Sequence, residues 1–392
     1  MDNELSNRNV FILGAGFSAA AGAPVVRDFL DCARQFYDDP SSGLDGHERE
    51  HFRKVFEFKR TVAQAREKIN IDLDDIEQLF GLVEMSQRLG DVDSDTRYST
   101  VYLIAKTLEL ATRRKRGQVV FPAAGLGGSA LQLRDTVTHS NPSVGPTFSS
   151  DIYSFFANLI RGELDDPDKR KSRRDTVITF NYDLILDHAL SRTGGLPSYH
   201  LPPSLLADPP GEQVNSVSVL KLHGSTNWGI CVNCMKSIVV LDEKVTASPA
   251  EFRSLTCRKC QKVRYQPLLV PPSWDKSEYR DIMQPVWARA VNELRAATRI
   301  IVIGYSMPET DAFFKYLITL GLAGNHQLYK FILVDISAEV ATKFENLLVP
   351  IFRHRRFKFF GSGFPQFLHQ MDLGRDLGRA EAINGGIQFY GP

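Results

Sequence analysis

The sequence predicts an α/β protein, a parallel sheet covered by helices on both faces, with a helical insertion and a small metal-binding module. Three observations predict it. Short apolar runs alternate with helical patterns near the start of the chain and over its second half. A long stretch between them shows helical periodicity alone. Four of the five cysteines fall into two Cys-x2-Cys pairs.

The elements follow in order. "NVFILGAG" (9–16) reads as a strand entering a glycine turn. Residues 31–175 read as the helical insertion, with amphipathic patterns in "LDDIEQLFGLVEMSQRL" (73–89), "STVYLIAKTLELATRRKR" (99–116) and "FSSDIYSFFANLIRGEL" (148–164). Inside it, 122–147 is rich in Gly, Ser and Pro and reads as a mobile loop. "TVITFNYDLILDHAL" (176–190) reads as strand, turn and helix, and "SVSVLKLHGSTNW" (216–228) as one strand ending in a polar cluster. "RIIVIGYSMPETDAFFKYLI" (299–318) is strand, glycine turn and helix. "KFILVDISAEVATKFENLL" (330–348) and "RFKFFGSGFPQFLHQM" (356–371) repeat the strand-helix pattern. The organisation expected is a sheet domain from 1–30, 176–228 and 267–392, the insertion at 31–175, and a metal module at 229–266.

Near-continuous apolar strands indicate burial on both faces. In such sheets ligands bind beyond the carboxyl ends of the strands. The polar residues at those ends are Gly14 to Ser18, Asn181 to Asp183, His223 to Ser225, Gly304 to Ser306, and Asp335.

Composition narrows the partners. The chain has 392 residues, enough for one large domain with insertions or for two domains, and 43% are hydrophobic. Lys plus Arg total 47 against 46 acidic residues, so charge gives no indication of direct nucleic-acid binding. The clusters at 113–116, 169–174 and 353–356 read as solvated helix ends or loops. "MDNELSNRNV" is not a signal peptide, and no apolar run reaches the roughly eighteen residues that span a bilayer. A cytoplasmic protein without membrane contact is expected.

Cys231 and Cys234 form one pair and Cys257 and Cys260 the other, with 22 residues between the pairs. Two such knuckles make a tetrahedral four-sulfur site, the pattern of a zinc ribbon. Four thiolates leave no open position for water, so the Zn2+ would be structural. In a reducing compartment disulfides are the weaker alternative. Cys32 reads as a small buried residue.

Gly14-Ala15-Gly16 after a strand lets backbone N–H groups approach a pyrophosphate, with the positive end of the following helix behind them. This makes the sheet Rossmann-like. The dehydrogenase fingerprint is incomplete: its third glycine is Ala19, and residues 30–60 hold no second apolar strand. An ordinary NAD dehydrogenase is disfavoured.

Taken in order, the motifs resemble those of the sirtuins: Gly14-Ala15-Gly16-Phe17-Ser18, Gly22-Ala23-Pro24 with Arg27, Asn181-Tyr182-Asp183, Leu222-His223-Gly224, the four cysteines, and Gly304-Tyr305-Ser306. The resemblance covers about 1–30 and 175–340. It departs at Phe180, where sirtuins have Gln, and at Val26, where they have Phe. "LLVPPSWDK" (268–276) lacks the Val-x-Phe-Gly-Glu segment with which sirtuin deacylases receive an acyl-lysine chain. The pattern looks like the sirtuin-like NAD hydrolases of bacterial antiphage defence.

The resemblance implies NAD as substrate and cleavage of the nicotinamide–ribose bond to nicotinamide and ADP-ribose, through an oxocarbenium-like state as in glycoside hydrolysis. It implies that Asn181 orients water and ribose hydroxyls and that His223 acts as general base. It implies that Gly14, Ala15, Gly16 and Ser18 cradle the pyrophosphate, that Arg27 pairs with a phosphate or anchors a loop, and that Asp183 meets the carboxamide. Gly304, Ser306 and Asp335 would hold the adenosine half. Plainer roles stand beside these: His223 as a strand-end structural residue, Asn181 and Asp335 as helix caps, and Trp228, Trp274 and Trp287 as packing. A protein-lysine deacylase and a non-catalytic NAD sensor compete as functions. An NAD hydrolase must be restrained in its own cell. The resemblance implies control through a homo-oligomer or a hexameric DNA-translocase-type ATPase partner, with the glycine-rich tail from Gly361 as a docking strap.

Overall fold

Val10 to Leu13 are apolar and free of turn formers, and β1 (Asn9–Leu13) is buried on both faces. It is the central strand of the molecule. The computed structural model describes residues 8–115, 152–164, 175–208, 215–241, 249, 251–263, 265–271, 277–308, 311–371 and 376–377. Beside β1 lie β2 (Thr176–Thr179), β3 (Leu196–Ser198), β4 (Ser216–Lys221), β8 (Arg299–Ile303), β9 (Lys330–Val334) and β10 (Phe357–Phe360). Their order is β10-β9-β8-β1-β2-β4-β3. Every pairing is parallel. A second, antiparallel sheet of β5 (Gly224–Cys231), β6 (Ile238–Val240) and β7 (Tyr265–Leu269) runs β6-β5-β7.

The pleat sends alternate residues of the large sheet into two cores. Phe11, Leu13, Val177, Val219, Ile301 and Ile303 face one side. Val10, Ile12, Ile178, Leu220, Ile300 and Val302 face the other. The first core is closed by the insertion helices α2 (Phe29–Asp38), α3 (Gly46–Val62), α4 (Ile76–Leu89), α5 (Ser94–Lys115) and α6 (Ile152–Arg161), together with α7 (Ile185–Arg192). The second is closed by α8 (Arg280–Ala296), α9 (Ala312–Leu322) and α10 (Ala338–Leu347). The expected parallel sheet with helices on both faces is the fold.

Local signals explain the insertion. Asp45 and Glu48 form a reciprocal capping box at the start of α3. Asp75 accepts the Glu77 and Gln78 N–H groups at the start of α4, which stops at Gly90 in the left-handed region.

The run at 216–228 is not one strand. It breaks after Lys221 and restarts at Gly224 in the other sheet. Gly224 has φ +84°, and a Cβ there would lie 2.0 Å from the Leu268 carbonyl oxygen, so the crossing between sheets needs glycine. β3, three residues at the edge and carrying Pro197, gave no sequence signal. Within the described part of the tail read as a docking strap, Leu377 is buried. Phe364, Phe367 and Leu368 of α12 (Phe364–Gln370) are buried, and buried Asp376 pairs with Lys330 and Lys358, both at 2.9 Å. Residues 353–356 form the last turn of a short helix, α11 (Pro350–Arg356). The loop read at 122–147, the basic run 169–174, Trp274 and the tail beyond residue 377 lie outside the described residues. Among the described residues no helix is long and apolar enough to cross a membrane.

Candidate active site

The glycines after β1 and β8 meet each other. Gly14 N–H donates to the Ile303 carbonyl at 3.0 Å and Gly16 N–H to the Gly304 carbonyl at 2.9 Å. A Cβ on Gly14 would lie 2.5 Å from the Gly304 oxygen, and one on Gly16 would lie 2.7 Å from the Gly304 Cα. Gly304 itself has φ +61°, and its Cβ would stand 2.5 Å from Gly16 and from the Phe17 nitrogen. The close approach that demands glycine is therefore between two turns of the chain itself. The Ala15 N–H has no acceptor among the described residues and lines the cleft described below. The helix behind it, α1 (Ala15–Ser18), is a single turn, shorter than the dipole argument from sequence assumed.

Asn181 locks these turns to the end of β2. Its Nδ2 donates to the Gly14 carbonyl at 2.9 Å and to Ser18 Oγ at 3.0 Å. Its Oδ1 has no partner among the described residues. Asp183, just ahead of α7, accepts the Ile185 N–H at 3.0 Å. Burial pushes the Asp183 carboxyl upward, against the pull of the Lys221 ammonium and of Ser18. Lys221 is the fixed charge beneath the turn: Nζ donates to the Asp183 carbonyl at 2.6 Å and to Ser225 Oγ at 3.0 Å, and pairs with buried Asp187 at 3.0 Å. Sequence reading passed over Lys221, although a lone cation in the apolar strand "SVSVLKL" was a usable signal.

His223 is 3% exposed. Its Nε2 lies 3.7 Å from Oδ2 of buried Asp311, which also accepts the Tyr305 hydroxyl at 2.9 Å. The imidazole meets the Phe180 ring edge-on at 5.2 Å between centroids and the Tyr182 ring at 6.2 Å. Phe180 stacks on Tyr305 at 4.4 Å. Asp311 was missed from sequence, although its place just before "AFFKYLI" marked it as a helix start.

Around these turns lies a cleft at the ends of the parallel strands. Gly14, Ala15, Ser18, Asn181, Asp183, Gly304 and Ser306 line it. Four sequence candidates do not. Gly16 packs on Gly304. Arg27 is exposed on the short turn Val26–Asp28. His223 sits behind Phe180 and Tyr182, which do line the cleft. Asp335, at the end of β9, accepts the Ser337 N–H at 2.8 Å, and burial pushes its carboxyl upward. The opposite wall comes from the insertion, through Ile76, Glu77, Phe80, Ile104 and Leu108. No motif pointed to these residues.

The four paired cysteines converge, with all sulfurs within 4.8 Å of one another. Cys231 and Cys260 are 3.6 Å apart and Cys234 and Cys257 are 3.8 Å apart. Sulfurs about 2.3 Å from a tetrahedral zinc stand about 3.8 Å from each other, so the set fits a metal ion. Burial opposes ionisation of Cys257, but the N–H groups of Cys260 and Lys259 outweigh it and bring the thiol down to about 6.

Residues 175–346 match the family described as SIR2-like domain. Comparison with curated proteins gave no match. Among solved structures, the chain is similar to a Sir2 complex with the inhibitor EX-527, 2'-O-acetyl-ADP-ribose and a deacetylated p53 peptide. That structure is 13% identical, with 96% of this chain and 97% of that chain covered and a TM-score of 0.37. A structure on the mechanism and regulation of Sir2 enzymes is 15% identical, with 94% and 96% covered and a TM-score of 0.39. A third, on sirtuin substrate affinity, is 14% identical, with 92% and 90% covered and a TM-score of 0.39.

Proposed function

We propose that this protein, which matches the SIR2-like domain family over residues 175–346, is an NAD+ hydrolase that releases nicotinamide and ADP-ribose. The observation that carries the reading is the clamp of Asn181 on the glycine turn. Its Nδ2 is fixed by Gly14 and Ser18, so its Oδ1 is held in place at the cleft where the ends of β1, β2 and β8 meet. A preorganised acceptor there can hold a water or a ribose hydroxyl without reorganising during reaction. The Ala15 N–H supplies a donor for the pyrophosphate, and Ser306 and Gly304 flank the adenosine half. His223, paired with Asp311, is the second catalytic residue in this reading, and its imidazole reaches substrate when the Phe180 and Tyr182 rings turn aside. The cysteine module holds a structural Zn2+ and takes no part in the chemistry.

A second reading, an NAD-dependent protein-lysine deacylase, shares Asn181 and His223. It is disfavoured because the stretch after the cysteines has no Phe-Gly-Glu segment. Incubation of the protein with NAD, with and without an acetylated peptide, separates the two. Nicotinamide release that ignores the peptide supports the hydrolase. Release that requires the peptide, with deacetylated product, establishes the deacylase instead.

An unrestrained NAD hydrolase would drain the NAD pool of its own cell. The reading therefore includes an effector role in antiphage defence, under control of self-assembly or of a hexameric ATPase. Monomeric behaviour in every condition, with turnover unchanged by any such partner, would remove that part alone.

A further inference from the structure

Two rings, Phe180 and Tyr182, stand between buried His223 and the cleft. They are not held alike. The Tyr182 hydroxyl donates to the Val270 carbonyl at 2.9 Å, and the Tyr182 carbonyl accepts the Thr226 N–H at 3.0 Å. Phe180 has no polar atom on its side chain and is kept in place by rings alone. It stacks on Tyr305 at 4.4 Å with 18° between the planes, meets His223 edge-on at 5.2 Å, and is backed by Phe314 at 5.9 Å. Tyr305 is itself anchored, because its hydroxyl donates to Asp311. The His223 backbone is pinned as well: its carbonyl accepts the Val270 N–H at 2.7 Å, and the next residue, Gly224, lies against the Leu268 carbonyl. The Phe180 ring is therefore the part of this screen that moves most readily.

We propose that Phe180 is a positioning residue, a gate that holds His223 away from substrate and keeps most of the enzyme latent. The inference rests on the hydrolase reading above, with His223 as a catalytic residue. Turning the ring aside gives up at least the Tyr305 stack and the His223 contact. Aromatic pairs of this kind are each worth about a 2- to 12-fold shift in an equilibrium. Two of them leave the open arrangement at roughly 1–20% of the population, and the rate falls to that fraction of its full value. Part of the restraint that an NAD hydrolase needs is thus built into the site.

The test has two readouts on the purified full chain. One is nicotinamide release at saturating NAD. The other is carbethoxylation of His223 by diethyl pyrocarbonate, followed by peptide mass spectrometry with exposed His326 as the reference. In wild type His223 should react more slowly than His326. Phe180→Ala should speed labelling of His223 and raise nicotinamide release about 5- to 100-fold. Damage to the fold does not raise a rate, so a gain separates a gate from a packing residue. Phe180→Ala combined with His223→Ala should lose the gain. Phe180→Leu, apolar but without a ring to stack, should fall between, and it decides alone if Phe180→Ala does not fold. Wild-type His223 that labels as fast as His326, labelling unchanged by the substitutions, faster labelling without faster release from an active enzyme, or a gain that survives His223→Ala overturns the gate and leaves the hydrolase reading standing. No nicotinamide from wild type or from any variant overturns both.

Discussion

Gly304→Ala tests whether the glycines at the strand ends serve the chain itself. Two costs apply. Gly304 has φ +61°, and a Cβ residue in the left-handed region loses about 1–2 kcal/mol. The new Cβ would also stand 2.5 Å from the Gly16 carbonyl carbon and the Phe17 nitrogen. These are backbone atoms that cannot rotate away, and overpacking of this kind costs about 1–3 kcal/mol. The sum is about 2–5 kcal/mol, a large share of the total stability of a typical domain. Gly90 is the control: its φ is +81° and nothing lies within 4 Å of its would-be Cβ, so Gly90→Ala carries only the conformational cost. Urea unfolding of both variants isolates the packing term. Gly304→Ala should be the less stable by about 1–3 kcal/mol and should weaken NAD binding, because the same turn flanks the cleft. Equal stability of the two variants would refute the interlock and return these glycines to a purely ligand-facing role.

Lys221→Met should destabilise by about 3–5 kcal/mol, because it strands Asp187 in the interior. In a double-mutant cycle with Asp187→Asn the two losses should fall short of additive, and strict additivity would deny the pairing. Metal analysis should find one zinc per chain, and Cys257→Ser should abolish it and lower the melting temperature; a metal-free wild type of full stability would argue against the site. His51 provides a pH dependence. Burial first, and then the Arg253 guanidinium, hold it down from 6.5 to about 4, so the fold prefers the neutral ring. Its contribution is complete above pH 6.5 and is lost as the pH falls toward about 4. His51→Gln should flatten the stability profile across that window, and an unchanged slope would place the effect elsewhere.

The sheet and the cleft at its strand ends were legible because strands buried on both faces read as unbroken apolar runs, and glycines, Asn181 and Asp183 punctuate their ends. The break at Gly224 was not legible. Gly224 is the local mark between β4 and β5, but what demands glycine there, the Leu268 carbonyl, lies more than forty positions away. The same limit hid half of the cleft. Ile76, Glu77, Phe80, Ile104 and Leu108 look like an ordinary amphipathic helix face, and only tertiary packing turns them toward Asn181. His223 shows the reverse. Its motif marked it for the site, while packing against Phe180, Tyr182 and Asp311 sets it beneath the surface.

The measurement that bears most directly on the account is nicotinamide release from NAD, without peptide, by wild type and Asn181→Ala in parallel. Release by the wild type that falls at least about 100-fold in the variant, with the variant still folded, is the expected result. Undiminished release by Asn181→Ala would contradict the assignment of this cleft, and no release by either would contradict the hydrolase.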